Sequence, residues 1–308
     1  MSEVHLPTTT APALRITELG LYDMPADVYH ADACPEPSLS AGMIGDLLTA
    51  PAKCWDASPR LNPAWEPPEG QEKFTIGTVS HLVHLEPEKL ADAVVVVEAR
   101  DWKGKAAQAA RTEAADAGKI AILAKHMRDV LAARRAFLAS PLTRGAFTGG
   151  KAEQSLFWRH PRYGFWCRCR PDYLADSRAY MADYKATANA DPRQFGKHAY
   201  QMGYHRRAAW YAEGARAVLG VRSIRYLFCN QETKRPFLTS VVELDLNALE
   251  AGQAENDAAA AIFDRCLRTG EWPGYRSPAT PDRDTSFVEA LPTWALMQSD
   301  NRLNHTFG

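Results

Sequence analysis

The sequence predicts an α/β fold: a central mixed sheet flanked by helices, with a helical N-terminal lobe ahead of it. Three observations predict this. Through the first half of the chain, apolar residues recur at helical spacing, as in 120–139 (Ile120, Leu123, Met127, Val130, Leu131, Phe137). At Gly149-Gly150 the period changes and strand-like segments follow. Those segments are then interleaved with two long helical stretches, giving the order helices, three-strand meander, helix, two strands, helix.

Element by element, residues 1–15 are Thr-rich, then Ala-Pro, with no periodicity, and read with the next few residues as a flexible leader, 1–19. Residues 20–308 form one expected domain, with a helical lobe over 38–140 and a core over 151–270. Ser38-Leu39-Ser40 predicts a helix start, and the helix runs to about Ala50. The prolines and glycine of 56–72 predict a loop. A helix is expected from about Phe74 to Leu85, a short strand at Ala93–Val97, and Ala-rich helices over 104–117 and 120–139. Strands are expected over 152–160, 164–174 and 178–185, with turns at Tyr163-Gly164 and Ala175-Asp176-Ser177. One long helix to Val218, strands at Ser223–Asn230 and Phe237–Leu244, and a helix over Leu246–Thr269 complete the core. A short helix near Pro292–Met297 follows.

Composition narrows the class of protein. The chain has 308 residues, 46% hydrophobic and 24% charged, an ordinary globular composition. No apolar run approaches bilayer length, and no basic start with an apolar stretch marks secretion. The six cysteines are scattered, none in C-x-x-C, which predicts reduced thiols and a cytoplasmic protein. The net charge of −1 hides an asymmetry: residues 151–235 carry 16 Lys/Arg against 7 Asp/Glu, and the rest carries 20 against 30. Either the basic excess solvates a strand-rich half, or it faces a polyanion such as DNA.

Within that basic region stand Pro171-Asp172, ten residues, then Asp183-Tyr184-Lys185. Residues two apart on a strand share a face, so Asp183 and Lys185 point the same way. The intervening length suits a hairpin that brings Asp172 beside Asp183. Two carboxylates and a lysine so placed can hold a divalent metal beside an activated water; the bland reading is an exposed strand of alternating charge.

The wider pattern is more specific. Gly77-Thr78-x-x-His81 with Leu85-Glu86-Pro87, Cys167-Arg168-Cys169-Arg170-Pro171-Asp172, Tyr204-His205 with Tyr211, and Glu271-Trp272-Pro273 occur in that order, after Gly20-Leu21-Tyr22, Asp27-x-Tyr29-His30 and Ser38-x-Ser40. Over about residues 20–275 the chain resembles the RecE-type exonucleases (exodeoxyribonuclease VIII) of the PD-(D/E)XK nuclease superfamily. The resemblance implies a restriction-endonuclease-like core and hydrolysis of linear double-stranded DNA, 5′ to 3′, leaving a 3′ single strand for recombination by strand annealing. It implies two Mg2+ ions per site, with Mn2+ as a substitute, and double-stranded DNA ends as substrate. It further implies an annealing-protein partner and a ring-shaped homo-oligomer, a tetramer. No membrane association is expected.

Residue by residue, the resemblance makes Asp172, Asp183, the Tyr184 carbonyl and His81 metal ligands. Lys185 orients or deprotonates the attacking water and stabilises the transition state. Two readings of Glu153 stand: a contact to metal-bound water or base, and an edge-strand glutamate. Arg168 and Arg170 either pair with acidic groups or touch DNA, and Tyr211 matches the family's helix after the lysine. At Arg207 the chain departs from the Gln-x-x-x-Tyr of many relatives. Four-residue spacing stacks Arg207 over Tyr211 on one helix face; arginine still grips phosphate but cannot accept a hydrogen bond as glutamine can. Cys167 and Cys169 are expected to pack beneath the site, since the two widely spaced downstream cysteines do not suit an iron–sulfur cluster. Trp102, Trp158, Trp166 and Trp210 are either core or DNA-stacking groups. Alternative functions on these residues are an endonuclease or single-strand nuclease on the same core, and a non-catalytic DNA-end-binding subunit. No Walker loop, Rossmann glycine pattern, zinc finger or G-x-S-x-G competes.

Overall fold

The computed structural model describes residues 15–66, 75–276, 286–287 and 290–299. Most of the expected leader, part of the 56–72 loop and Phe74 lie outside the described residues. In chain order, β1 (Gly20–Asp23) and α1 (Ala26–His30) lead to β2 (Leu39–Ser40), α2 (Ala41–Thr49) and α3 (Pro51–Asp56). Next come α4 (Thr75–Leu85), α5 (Leu90–Ala93), β3 (Val94–Val97), α6 (Lys105–Asp116), β4 (Ile120–Leu123), α7 (Ala124–Ala139) and α8 (Pro141–Ala146). The core then runs β5 (Gly150–Ala152), β6 (Gln154–Arg159), β7 (Trp166–Cys169), β8 (Tyr173–Ala175) and β9 (Tyr180–Thr187). It closes with α9 (Phe195–Gln201), α10 (Tyr204–Leu219), β10 (Arg225–Glu232), β11 (Thr239–Val242) and α11 (Leu246–Thr269). Residues 293–299 form a further helical stretch.

The strands make two principal sheets. The larger is β11-β10-β9-β8-β5, antiparallel except for the parallel β9–β10 pair. That parallel pair requires a crossover, which α9 and α10 supply. The smaller sheet is β1-β6-β7-β2, in which β2 joins β7 in parallel. A separate parallel pair, β3–β4, lies in the helical lobe.

Five expectations need correction. The strands expected over 152–160 and 164–174 are each broken in two. β5 and β8 belong to the larger sheet, whereas β6 and β7 belong to the smaller. Glu153 interrupts the first in a left-handed conformation (φ 56°). The second breaks at Arg170-Pro171-Asp172, where proline removes a ladder donor. The helix expected from Ile120 starts at Ala124, because Ile120–Leu123 pairs with β3 instead; a short apolar run suits a buried strand as well as a helix. The helix expected to start at Ser38 starts at Ala41, because Leu39–Ser40 pairs with β7. The single helix expected before Val218 is two, parted at Met202-Gly203, where Gly203 is left-handed (φ 67°) and permits the turn.

Each face of β9 meets a different layer. Met181 packs with α10, α11 and the tryptophans Trp158 and Trp210 in the main core. Ala182 and Tyr184 join Phe137 of α7 and Ala146 of α8 on the other face. Asp183 and Lys185, in phase with Met181, therefore face α10. Trp158, Trp166 and Trp210 are fully buried, which settles them as core; Trp102 carries Arg111 over its ring. All six cysteines are free and buried, Cys167 and Cys169 among the main core residues.

Candidate active site

The site forms where the chain passes from one sheet to the other. Glu153 lies between β5 and β6, and Asp172 lies between β7 and β8. The two crossing points are tied together by the Glu153 amide, which donates to the Asp172 carbonyl at 3.0 Å. A non-glycine residue at positive φ is unfavourable by about 1 kcal/mol or more and persists where its surroundings hold it. Here that hold includes Arg170, whose Nε donates to Glu153 Oε2 at 2.6 Å.

The register of the β8–β9 hairpin, Tyr173 opposite Ala182, brings Asp172 beside β9 as the spacing predicts. The Tyr184 amide donates to Asp172 Oδ2 at 2.7 Å. From α4, His81 reaches the same oxygen with Nε2 at 2.9 Å and sets Nδ1 3.6 Å from Glu153 Oε1. His81, Glu153 and Asp172 thus present ligand atoms that all lie within 4.8 Å of one another. This group contains the residue with two sequence readings, Glu153; Asp183, on the adjoining β9, pairs with cations instead. Asp183 Oδ2 is 2.5 Å from Lys185 Nζ, and Oδ1 faces Arg207 Nη1 at 3.9 Å. The Tyr184 carbonyl receives only a long contact from Lys185 Nζ, at 3.5 Å. Among the described residues, the donor set is hard oxygen plus one imidazole, which fits a magnesium- or manganese-class ion.

Electrostatics follow from burial and pairing. Burial alone disfavours charge on Asp172, yet the His81 charge and hydrogen bond, Lys185 and the Tyr184 amide outweigh it and hold its pKa down at about 2. Burial lowers the His81 pKa, but Asp172 and then Glu153 win, and it rises. For Lys185 the carboxylates of Asp183 and Asp172 overcome burial, and its pKa is raised. Asp183 goes the other way: burial dominates and its pKa is raised despite Lys185 and Arg207. Glu153 is raised by burial and by Asp172.

Three residues expected at the DNA are otherwise engaged. Arg168 is buried in an ion pair with Asp32 at 2.9 Å and donates to the Ser38 hydroxyl. Arg170, besides Glu153, donates to the Met24 carbonyl and the Ser155 hydroxyl. The Tyr211 hydroxyl donates to the Arg170 carbonyl at 3.1 Å. All three brace the crossing points, although Arg168, Arg170 and Tyr211 still line the open cleft that contains His81, Glu153, Asp172 and Arg207. Both arginines thus form ion pairs, and all three residues also line the cleft.

His84, a turn after His81 on α4, is a packing residue. Its ring stacks on Tyr184 at 4.2 Å, meets Phe137 edge-on at 4.9 Å, and its Nδ1 lies 2.7 Å from the Ser80 carbonyl. Burial pushes its pKa down to about 4, so it is a neutral packing group. The Tyr184 hydroxyl donates to Gln231, which in turn donates to the Ala133 carbonyl. This chain of contacts locks α4 to β9 and α7, and so aims His81. His84→Ala is expected to lower stability by about 1–2 kcal/mol and to weaken divalent-ion affinity several-fold; thermal melts and a manganese titration check both.

Residues 42–279 match the family described as PDDEXK-like domain of unknown function (DUF3799), and the chain belongs to it. In fold it is similar to the crystal structure, from Eubacterium rectale, of a protein described as a putative exonuclease, with a TM-score of 0.57 and 11% sequence identity. That similarity covers 89% of this chain and 98% of the other. No curated protein matches. The fold is thus PD-(D/E)XK-like: mixed sheets flanked by helices, with the acidic group at the crossing points. Among the described residues, no helix is long and apolar enough to cross a membrane.

Proposed function

We propose that the protein is a metal-dependent deoxyribonuclease that digests linear double-stranded DNA from its ends, 5′ to 3′. The observation that carries this is the convergence of His81, Glu153 and Asp172 beside the Asp183–Lys185 pair, the first three lining an open cleft with Arg168, Arg170 and Arg207. The family assignment supports nuclease chemistry on this core; the exonuclease polarity, 3′ single-stranded product, annealing-protein partner, tetrameric ring and cytoplasmic location rest on the RecE-type resemblance of the motifs.

His81, Glu153 and Asp172, with Asp183 adjoining, would hold Mg2+, or Mn2+ in its place. When bound, a divalent ion supplies charge to the phosphodiester oxygens and makes a water more acidic. The protein groups do the rest. The Lys185 ammonium, raised in pKa and therefore cationic at neutral pH, would orient the attacking water and donate to the phosphoryl oxygens as negative charge develops on them, while the water's proton passes to a site carboxylate or to solvent. Asp183 keeps that ammonium in place. Arg207, on the cleft wall, has a planar fork suited to a phosphate next to the scissile one.

The test is digestion of end-labelled linear duplex and of closed circular duplex, each with Mg2+ or with chelator. Loss of linear DNA only, and only with the ion, is expected. Cleavage of the circle would make the protein an endonuclease, and retained binding without cleavage would make it an end-binding subunit.

In the metal-free protein the His81–Asp172 pair also predicts a pH dependence of stability. Asp172 has a folded pKa of about 2 against an ordinary 3.8, so its contribution is present above pH 3.8 and lost as pH falls toward 2. The His81 pKa is raised, so its contribution is full below 6.5 and lost as pH rises through the folded value. The pair therefore stabilises most between about pH 4 and 6.5, by roughly 1–2 kcal/mol. Thermal melts in chelator across this range, compared with Asp172→Asn, should show a dependence that the variant flattens.

A further inference from the structure

We infer that the recess beyond Lys185, between the end of β9 and α9, is a binding site for one unpaired nucleoside of the DNA strand. The inference deepens the nuclease reading and rests on it.

The recess has a volume of about 540 Å3 and opens where the parallel strands β9 and β10 end. Ligands of α/β sheets favour the carboxyl ends of parallel strands, and cavities of about 300–1,000 Å3 suit small organic groups. Asn230, on β10, lies in register with Lys185 and shares its face of the sheet. It lines the recess and is only 3% exposed. Its Nδ2 has only long contacts, at 3.4 Å to the Phe228 carbonyl and 3.4 Å to the Ser240 hydroxyl. A buried carboxamide held this loosely is under-satisfied until a ligand completes it.

The opposite wall is one face of a helix. Gln194, Lys197, His198 and Gln201 stand at i, i+3, i+4 and i+7 along α9 and the turn that leads into it, and all four line the recess. Phe195 and Ala199 are buried and fix that helix to the main core. A polar stripe on a surface helix is ordinarily just solvated. This one faces a buried polar group across a concavity.

What such a lining recognises follows from its chemistry. A carboxamide carries both donors and an acceptor, the complement of a nucleobase edge. Gln194, Gln201 and Asn230 bring three of them from two walls. Tyr204 and His198, edge-on with ring centroids 5.5 Å apart, supply surface against which a base can stack. Among the described residues, none that lines the recess is acidic, and Lys197 adds a positive charge, so the phosphate that accompanies a base is not repelled. Carboxamides reach the edge of a base only once it has left its partner and its stack, which is why the nucleoside is unpaired.

Position ties the recess to the cut. Tyr204 lines it, and Lys185 Nζ lies 5.6 Å and the Arg207 guanidinium 6.0 Å from the centroid of that same ring. A phosphate drawn to those two cations has its nucleoside at the mouth of the recess.

The experiment has two arms, both on the full chain. In chelator, ligand-observed NMR measures binding of deoxynucleoside 5′-monophosphates and of deoxyribose 5-phosphate, which has no base. The mononucleotides are expected to bind about tenfold tighter, and the double variant His198→Ala/Gln201→Ala, with an unchanged melting temperature, is expected to lose that difference. Equal affinity for the two ligands would overturn the inference, and a difference that survives in the double variant would overturn its assignment to this recess. In the second arm, linear duplexes carry one abasic residue stepped along the digested strand. One position is expected to slow the native enzyme by about tenfold and to have no such effect on the double variant. Equal rates at every position would overturn the inference while leaving the nuclease reading intact. Failure to digest undamaged duplex would overturn the nuclease reading, and the chelator arm would still decide whether the recess takes a nucleoside.

Discussion

Lys185→Ala is expected to slow hydrolysis of linear duplex DNA by about 10^3-fold at saturating Mg2+, with the fold retained. The size follows from two losses. The transition state loses the ammonium that Asp183 holds at the site. Asp183, whose side chain is only 2% exposed, loses its 2.5 Å partner and keeps a guanidinium at 3.9 Å. A carboxylate already pushed up by burial then takes up a proton more readily, and the site loses an anion as well as a cation. Single-turnover digestion of end-labelled DNA, with circular dichroism as the fold control, reads this directly. A rate within tenfold of the native enzyme would remove Lys185 from the chemistry.

Gly252→Ala is expected to have the largest effect on the fold, a loss of about 3 kcal/mol, or roughly 5–10 °C in melting temperature. A Cβ at Gly252 would stand 2.3 Å from the His205 carbonyl oxygen and 2.9 Å from the Arg206 amide nitrogen, both backbone atoms. Backbone cannot rotate away as a side chain tip can, so α11 must move off α10. The displaced turn is the one that carries Arg207, and activity should fall further than stability alone accounts for. A melt and a digestion rate on the same preparation separate the two effects. An unchanged melting temperature would mean that the α10–α11 crossing is looser than the distances show.

What the sequence made legible was chemistry carried by short spacing. Asp172, Asp183 and Lys185 were readable because strand parity and a hairpin of the right length bring them together, and both features hold. His81 was readable from its Gly77-Thr78 context. The grouping within the site was not. Glu153 lies with His81 and Asp172, and Asp183 pairs with cations, because two predicted strands each divide between sheets, and alternation along an unbroken strand gives no sign of where a chain changes partners. The contacts of Arg168 with Asp32, of Arg170 with Met24 and of Tyr211 with the Arg170 carbonyl join residues far apart in sequence. Ile120–Leu123 was misread as helix because four apolar residues ahead of a real helix extend its pattern without a visible break.

Glu153 and Asp172 each mark the point where a strand leaves one sheet for the other. The separation of two ligands is therefore a readout of the angle between those sheets. An ion gripping both acts as a clasp across the seam, and by thermodynamic reciprocity whatever tightens the seam tightens the grip. The buried indoles of Trp158 and Trp210, tilted against each other with centroids 5.2 Å apart, would in this sense contribute to the affinity for such an ion. Tuning the enzyme to a scarcer ion would then be a matter of packing under the seam, with every ligand left unchanged.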